Sequence, residues 1–356
     1  MLTATRREWN ELYVFFNLLA QGGIVLGNEE GLPSGRVLPI FQVTRQEHDG
    51  ERRYTVEETD IHVEGEQMDE RFPREDFGTV AAMILDTLKR ERNEEVEALE
   101  GVEDFLDALK IYDMEARTDD RTDFYITFHD DSFPPVGFRI YSRLCAMMPL
   151  LDGGRTANLK FEQGGIRFSQ PAVNKINYTD DPDNPNEVAR RMLYIESMGG
   201  VLKYNDVADK VFRSNLCMID LNFPRVLAEM VRLMHLDNVS RVDELTELIE
   251  ERNPLKIKDE LVNKHGFYEF KVKQFLMALA LGMRPAKIYT GQDSAVEGIL
   301  LMDGSGEVLC YHKSEKPVME DFLFLNTRLE KGSLDKDKYG FLERENGTYY
   351  FKLNAK

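Results

Sequence analysis

In the stretch FHDDSFPPVGFRIYSRL, residues 128–144, two β-type runs flank an acidic turn. Such a frame can gather carboxylates around a divalent cation for phosphodiester hydrolysis. Alternation sets the faces. In the first run Asp123, Tyr125 and Thr127 stand opposite Phe124, Ile126 and Phe128; in the second, Arg139, Tyr141 and Arg143 stand opposite Phe138, Ile140, Ser142 and Leu144. With both apolar faces on a common core, Asp123 and the 139/141/143 set look into one cleft. An acid beside two arginines suits a phosphate. An acid that ends a strand and pairs with Arg is the commoner use of the same residues.

Other chemistries have thinner support. No G-x-x-x-x-G-K-[ST] phosphate loop occurs, and GGRTAN lacks the strand–helix frame a phosphate loop needs. His129 follows the first run, where it can touch phosphate or serve structure. Cys310 and His312 fall on one strand face without a nucleophile's frame. The cysteines, Cys145, Cys217 and Cys310, are odd in number and far apart, which excludes a zinc knuckle and predicts buried thiols in a reducing compartment, with cytoplasm the default.

The elements that must position these residues are legible in outline. REWNELYVFFNLLAQGG has helical spacing from Trp9 to Leu19 and a Gly22-Gly23 stop. RVLPIFQVTRQ and RRYTVEETDIHVEG have strand composition; EDFGTVAAMILDTLKRE is a helix; RNEEVEALEGVEDFLDALK is a loop and a second helix. TANLKFEQGGIRFSQ is of strand type. A helix is expected to start with Asn184 as N-cap and Pro185 at its first position, and to end near Gly199. YNDVADKVFRSNLCMID, FPRVLAEMVRLMHL, SRVDELTELIEERNP and YEFKVKQFLMALALGMRP are expected as further helices. EGILLMDGSGEVLCYH and GFLERENGTYYFKLN are hairpins over Asp303–Gly306 and Asn346-Gly347, separated by the helix VMEDFLFLNTRLEK. No apolar run approaches the roughly 20 residues of a membrane helix, and MLTATRREWNE is too polar for the core of a secretory signal.

The chain of 356 residues has a net charge of −19, which disfavours nonspecific binding to a polyanion. The charge is uneven. Between Val136 and Ile176, six basic residues stand against two acidic ones, giving +4 there and −23 in the remainder. A basic island in an acidic chain fits a phosphate-facing cleft; scattered surface Arg and Lys is the plainer account.

REWNELYVFFNLLAQG, GFRIYSRL…MPLLDGGRTANLKFE, FYEFKVKQFLMALALGMRPAKIYTG and GEVLCYHKSEKPVMEDFLFLNTRLE, with the terminal YYFKLN, resemble in order the HpaII family of type II restriction endonucleases. The resemblance spans nearly the whole chain. It implies an α/β fold with a PD-(D/E)XK core, Mg²⁺-dependent cleavage of duplex DNA, recognition of CCGG, a homodimer on a palindromic site, and a cognate DNA methyltransferase as functional partner. The family's first catalytic Asp corresponds to Asp123. Its Gly-Phe-Ser-Ile-Lys-Ser strand is GFRIYS here, so Tyr141 occupies the lysine position and Arg139 the residue two before it. A tyrosine supplies no ammonium beside the attacking water. The Glu-Trp-x-Glu pattern corresponds to Glu8 and Glu11, with Glu11 the preferred accessory carboxylate.

The missing groups could come from TANLKFEQ. Asn158, Lys160 and Glu162 share the face opposite Ala157, Leu159 and Phe161, and an antiparallel neighbour read backwards offers acid-x-lysine. Asp123 and Glu162 would then be the metal ligands, with Lys160 near the water, because Mg²⁺ needs only one or two carboxylates plus phosphate oxygens and water. A charge pair on a solvated face is the alternative. The expected organisation is a nuclease-like α/β core over 1–183, a helical region over 184–284, and a β-rich tail over 285–356 that completes DNA binding. Arg139, Arg143 and Arg155 are the expected DNA-contacting residues. Two rival classes remain: a degenerate, nuclease-derived DNA-binding protein, and an acidic protein–protein scaffold.

Overall fold

The computed structural model describes residues 2–115, 122–129, 134–178, 186–291 and 295–356. The turn acids Asp130 and Asp131, and the expected helix start at Asn184 and Pro185, lie outside them. The chain begins with β1 (Thr3–Thr5), α1 (Arg6–Gln21), β2 (Gly23–Gly27), β3 (Pro33–Glu47), β4 (Gly50–Val56), β5 (Asp60–Gly65) and β6 (Met68–Pro73). Then come α2 (Arg74–Arg90), β7 (Glu95–Glu97), α3 (Glu100–Ala108), β8 (Phe124–Phe128) and β9 (Val136–Ser142). The middle holds β10 (Asn158–Gly164), α4 (Gln170–Tyr178), α5 (Glu187–Ser197), β11 (Val201–Val207), α6 (Lys210–Ile219), α7 (Phe223–Asp237), α8 (Val242–Arg252), α9 (Asp259–Asn263) and α10 (Phe267–Ala280). The last part is β12 (Val296–Met302), β13 (Val308–His312), α11 (Lys316–Asn326), α12 (Leu334–Asp337), β14 (Leu342–Glu345) and β15 (Thr348–Asn354).

The contacts divide this mixed α/β chain into two units, each discontinuous in sequence. The first, 1–148 with 280–282 and 294–322, carries a nine-stranded sheet in the order β2-β13-β12-β9-β8-β3-β4-β5-β6. β3 also pairs with β2, so six strands close a circuit. The closure is visible at two adjacent residues: Pro39 O accepts from His129 N on one edge, while Ile40 N donates to Gly22 O on the other. β9 runs antiparallel to β8 and parallel to β12. A parallel neighbour needs a long crossover, and most of the second unit lies within it.

α1 starts where Thr5 and Glu8 form a capping box and ends at Gly22, whose φ of 59° is the left-handed conformation that favours glycine. Phe15, Phe16, Leu12 and Leu19 are fully buried, and α1 packs on α2 and on one face of the sheet in a common core. Glu8 is therefore a helix cap rather than a site acid. β9 does not alternate in exposure as expected: only Arg139 is partly exposed, because neighbouring elements cover both faces.

The second unit, 149–279 with 283–293 and 323–356, holds the sheet β11-β10-β15-β14, with Leu159, Phe161, Phe351 and Leu353 buried in it and α5, α6 and α7 packed on β11. The expected partition at 183/184 and 284/285 is corrected by these pairings: β12–β13 joins the first sheet, and β14–β15 closes onto β10. Three local readings change as well. Val201–Val207 is a strand on β10, not the start of a helix, which begins only after the Asp209 cap. The strand expected over 156–170 covers only Asn158–Gly164, and a helix, Gln170–Tyr178, begins at its last residue. The helix expected from Asn184 is capped instead by Asn186, whose side chain accepts from Ala189 N.

Candidate active site

α1, the start of β8 and the end of β9 meet around a small cleft in the first unit, lined by Arg7, Asn10, Glu11, Asp123, Tyr141 and Ser142. Arg7 and Glu11 are one helical turn apart, so α1 presents both on the same side. The β8–β9 pairing brings Asp123 against Ile140, whose N–H donates to Asp123 Oδ2 at 2.6 Å. Burial pushes the Asp123 carboxyl up to about 6, with that amide and the nearby Arg139 and Arg7 working against the rise. It is thus mostly ionised at neutral pH and poised to hold a cation.

Glu11 is buried at 4 % exposure and is held from behind. The Arg45 guanidinium lies 3.4 Å from Glu11 Oε1, 2.7 Å from Glu47 Oε2, and donates to the carbonyls of Asp113 and Met114. The Tyr54 hydroxyl donates to the other Glu47 oxygen. Burial alone would favour loss of the Arg45 proton, but Glu47 and Glu11 outweigh it and hold the guanidinium charged. Ser142 Oγ donates to Asn10 Oδ1 at 2.5 Å, and Asn10 Nδ2 donates to Arg6 O, which ties β9 to α1 at the cleft floor.

Of the expected site residues, Glu11, Asp123 and Tyr141 come together here. Arg139 stands beside them, its guanidinium 5.6 Å from the Tyr141 ring centre and its Nη2 3.6 Å from Met148 Sδ. Arg143 is exposed; Arg155 is exposed in a different unit, its Nε donating to Lys336 O. The expected antiparallel neighbour carrying Lys160 and Glu162 is corrected: β10 pairs with β11 and β15, not with β8 or β9. Lys160 Nζ lies 2.6 Å from Glu345 and over the Tyr350 ring, while exposed Glu162 accepts from Asn205. Among the described residues no strand pairing carries this pair to Asp123. Sequence reasoning missed Arg7, Asn10 and Ser142. The helical spacing of residues 7, 10 and 11 was the available signal for the first two.

Among the described residues no three or more His, Cys, Asp or Glu side chains gather to hold a metal ion. Two carboxylates of one cleft still fit Mg²⁺, a hard cation that completes its shell with water and phosphate oxygen. None of the described helices is long and apolar enough to cross a membrane.

Residues 5–356 match the family described as HpaII restriction endonuclease. The chain is 31% identical over 358 residues to the type II restriction enzyme HpaII of Haemophilus parainfluenzae, covering 99% of this chain and 97% of that protein. No solved structure matches it.

Proposed function

The chain belongs to the HpaII restriction endonuclease family, and from that premise we propose that it hydrolyses duplex DNA with Mg²⁺ at a short palindrome, CCGG by family resemblance. The observation that carries this reading is the convergence of Asp123 and Glu11, from β8 and α1, on one cleft. The element order supports a PD-(D/E)XK core: α1, then β3, β8 and β9 as antiparallel neighbours, a crossover, and β12 parallel beside β9.

Asp123 and Glu11 would hold the cation. Bound there, Mg²⁺ lowers the pKa of water and offsets charge growing on the phosphate. Ile140 N–H fixes one Asp123 oxygen. Arg45 fixes Glu11. The β-rich C-terminal segment, Arg143 and Arg155 are assigned to DNA backbone contact, and a homodimer would match the two-fold symmetry of a palindrome. A cytoplasmic enzyme working beside a methyltransferase that protects the same site completes the reading.

One observation favours a second reading, a DNA-binding protein that no longer cleaves: Tyr141 occupies the lysine position inside the cleft. Incubation of a plasmid carrying CCGG sites with protein and Mg²⁺ separates the two. Linear product is expected. Binding without cleavage, with cleavage gained only in an Arg139→Ser, Tyr141→Lys double variant, would overturn the first reading in favour of the second.

A further inference from the structure

We infer that Arg7, on the first turns of α1, is the catalytic cation of this cleft and takes the place that Tyr141 cannot fill. This rests on the nuclease reading above. A pentacovalent phosphate gathers negative charge, and two carboxylates would cancel the formal charge of a divalent cation they held, so a cleft of this composition needs a protein cation at the phosphate. Three residues could be considered. Tyr141 carries a neutral phenol. Arg139 is laid against the Tyr141 ring and the Met148 sulfur. Arg7 lines the cleft itself, together with Asp123 and Glu11.

The setting of Arg7 suits a group that must reach a ligand. Its side chain is 45% exposed, and it pairs with Glu115 at 3.4 Å, itself 47% exposed. Such a surface pair is worth little and exchanges readily for a better partner. A phosphate is that partner, because the guanidinium can bridge two of its oxygens. The helical turn between residues 7 and 11 fixes the cation beside the accessory carboxylate, whose own position is set by Arg45.

In the step itself a water oxygen adds to phosphorus, one phosphorus–oxygen ester bond breaks, and the leaving oxygen departs with the bonding pair. One proton leaves the water for solvent and the leaving oxygen acquires one from it. Arg7 keeps all its protons throughout and serves only as a fixed positive donor. It differs in this from a lysine, which could also trade a proton with the water.

The test uses the full-length protein, a plasmid carrying CCGG sites for single-turnover cleavage in Mg²⁺, and a short CCGG duplex for binding in Ca²⁺. Arg7→Ala should lower the cleavage rate by about 10²–10³-fold, with the dissociation constant for the duplex within about threefold of wild type. Arg7→Lys should recover part of the rate, and Tyr141→Lys placed in the Arg7→Ala background should recover more of it. An unchanged thermal midpoint for Arg7→Ala shows that the fold is intact, as expected for a half-exposed side chain. Wild-type cleavage that survives Arg7→Ala unchanged would overturn the assignment while leaving the nuclease reading in place. So would a parallel loss of rate and affinity, which marks a mere phosphate anchor. A wild type that binds the duplex but never cuts the plasmid overturns the nuclease reading, and the role of Arg7 with it.

Discussion

Asp123 sits where burial opposes its charge while the Ile140 amide and two arginines favour it, the balance expected of a carboxylate kept for a cation. Asp123→Asn keeps the shape and the bond to the amide but gives up the charge. Cleavage should fall by about 10³-fold or more, while duplex binding in Ca²⁺ changes little; retained activity would remove Asp123 from the site. Lys160 makes the opposite case. Its pair with Glu345 is partly exposed, so Lys160→Ala should cost about 1 kcal/mol or less and leave the cleavage rate within about twofold. A loss of orders of magnitude in the same assay would return Lys160 to the chemistry. The difference between these two residues shows what a sequence carries. Asp123 is set by its own strand and the hairpin that follows it, both local. The alternation of Asn158, Lys160 and Glu162 says that they share a face, but not which strand that face lies beside, and β10 finds its partners in β11 and β15.

Among the elements, α1 and β3 do the positioning. Arg45 is fully buried between Glu11 of α1 and Glu47 of its own strand. Removing one member of such a buried set leaves the other charges uncompensated. Arg45→Ala is therefore expected to cost about 3–5 kcal/mol in chemical denaturation, and Arg45→Met with Glu47→Leu much less; equal losses for the two would show that packing, not charge, is at stake. In the second unit α7 buries His235, and burial, then Lys331, push it down to about 4. The unfolded chain takes up that proton near 6.5 and the folded chain only near 4, so stability should be intact above 6.5 and fall as pH drops through this window, by up to about 3 kcal/mol. Urea midpoints between pH 7 and 4.5 measure this, and His235→Gln should flatten the curve if His235 is the cause. Elements with a strong local signal were legible: α1 by its period and Gly22, and the two hairpins by their turn glycines. β11 was not, because VLKYNDV runs directly into the Asp209-capped helix and its strand character comes from the pairing with β10. The exchange of hairpins between units was hidden for the same reason: pairing partners far apart in sequence leave no local mark.

The whole molecule carries −19, and DNA has to be approached against that field. The basic island over 136–176 offers the local exception, and its members are spent unevenly. Lys160 is paired with Glu345, Lys175 stacks on Tyr194, and Arg139 is laid on Tyr141. Arg143 and Arg155 are exposed. An arginine that bonds one backbone carbonyl, as Arg155 does, still has donors for a phosphate. Affinity for a CCGG duplex should therefore fall steeply with salt. Three to five phosphate contacts would give a slope of log K against log salt of about −3 to −4.5. Arg143→Ala and Arg155→Ala should each flatten it by about 0.9 without changing which sequence is preferred, since phosphate contacts position the protein and base contacts specify the site. Fluorescence anisotropy over a salt series, in Ca²⁺ to prevent cleavage, reads both quantities from one titration. A slope near zero would mean that the −23 of the remainder governs the encounter, and both the cleaving and the non-cleaving DNA readings would fall together. A steep slope left unaltered by either variant would keep DNA as the ligand and move its track away from these two arginines, on to basic residues outside the island.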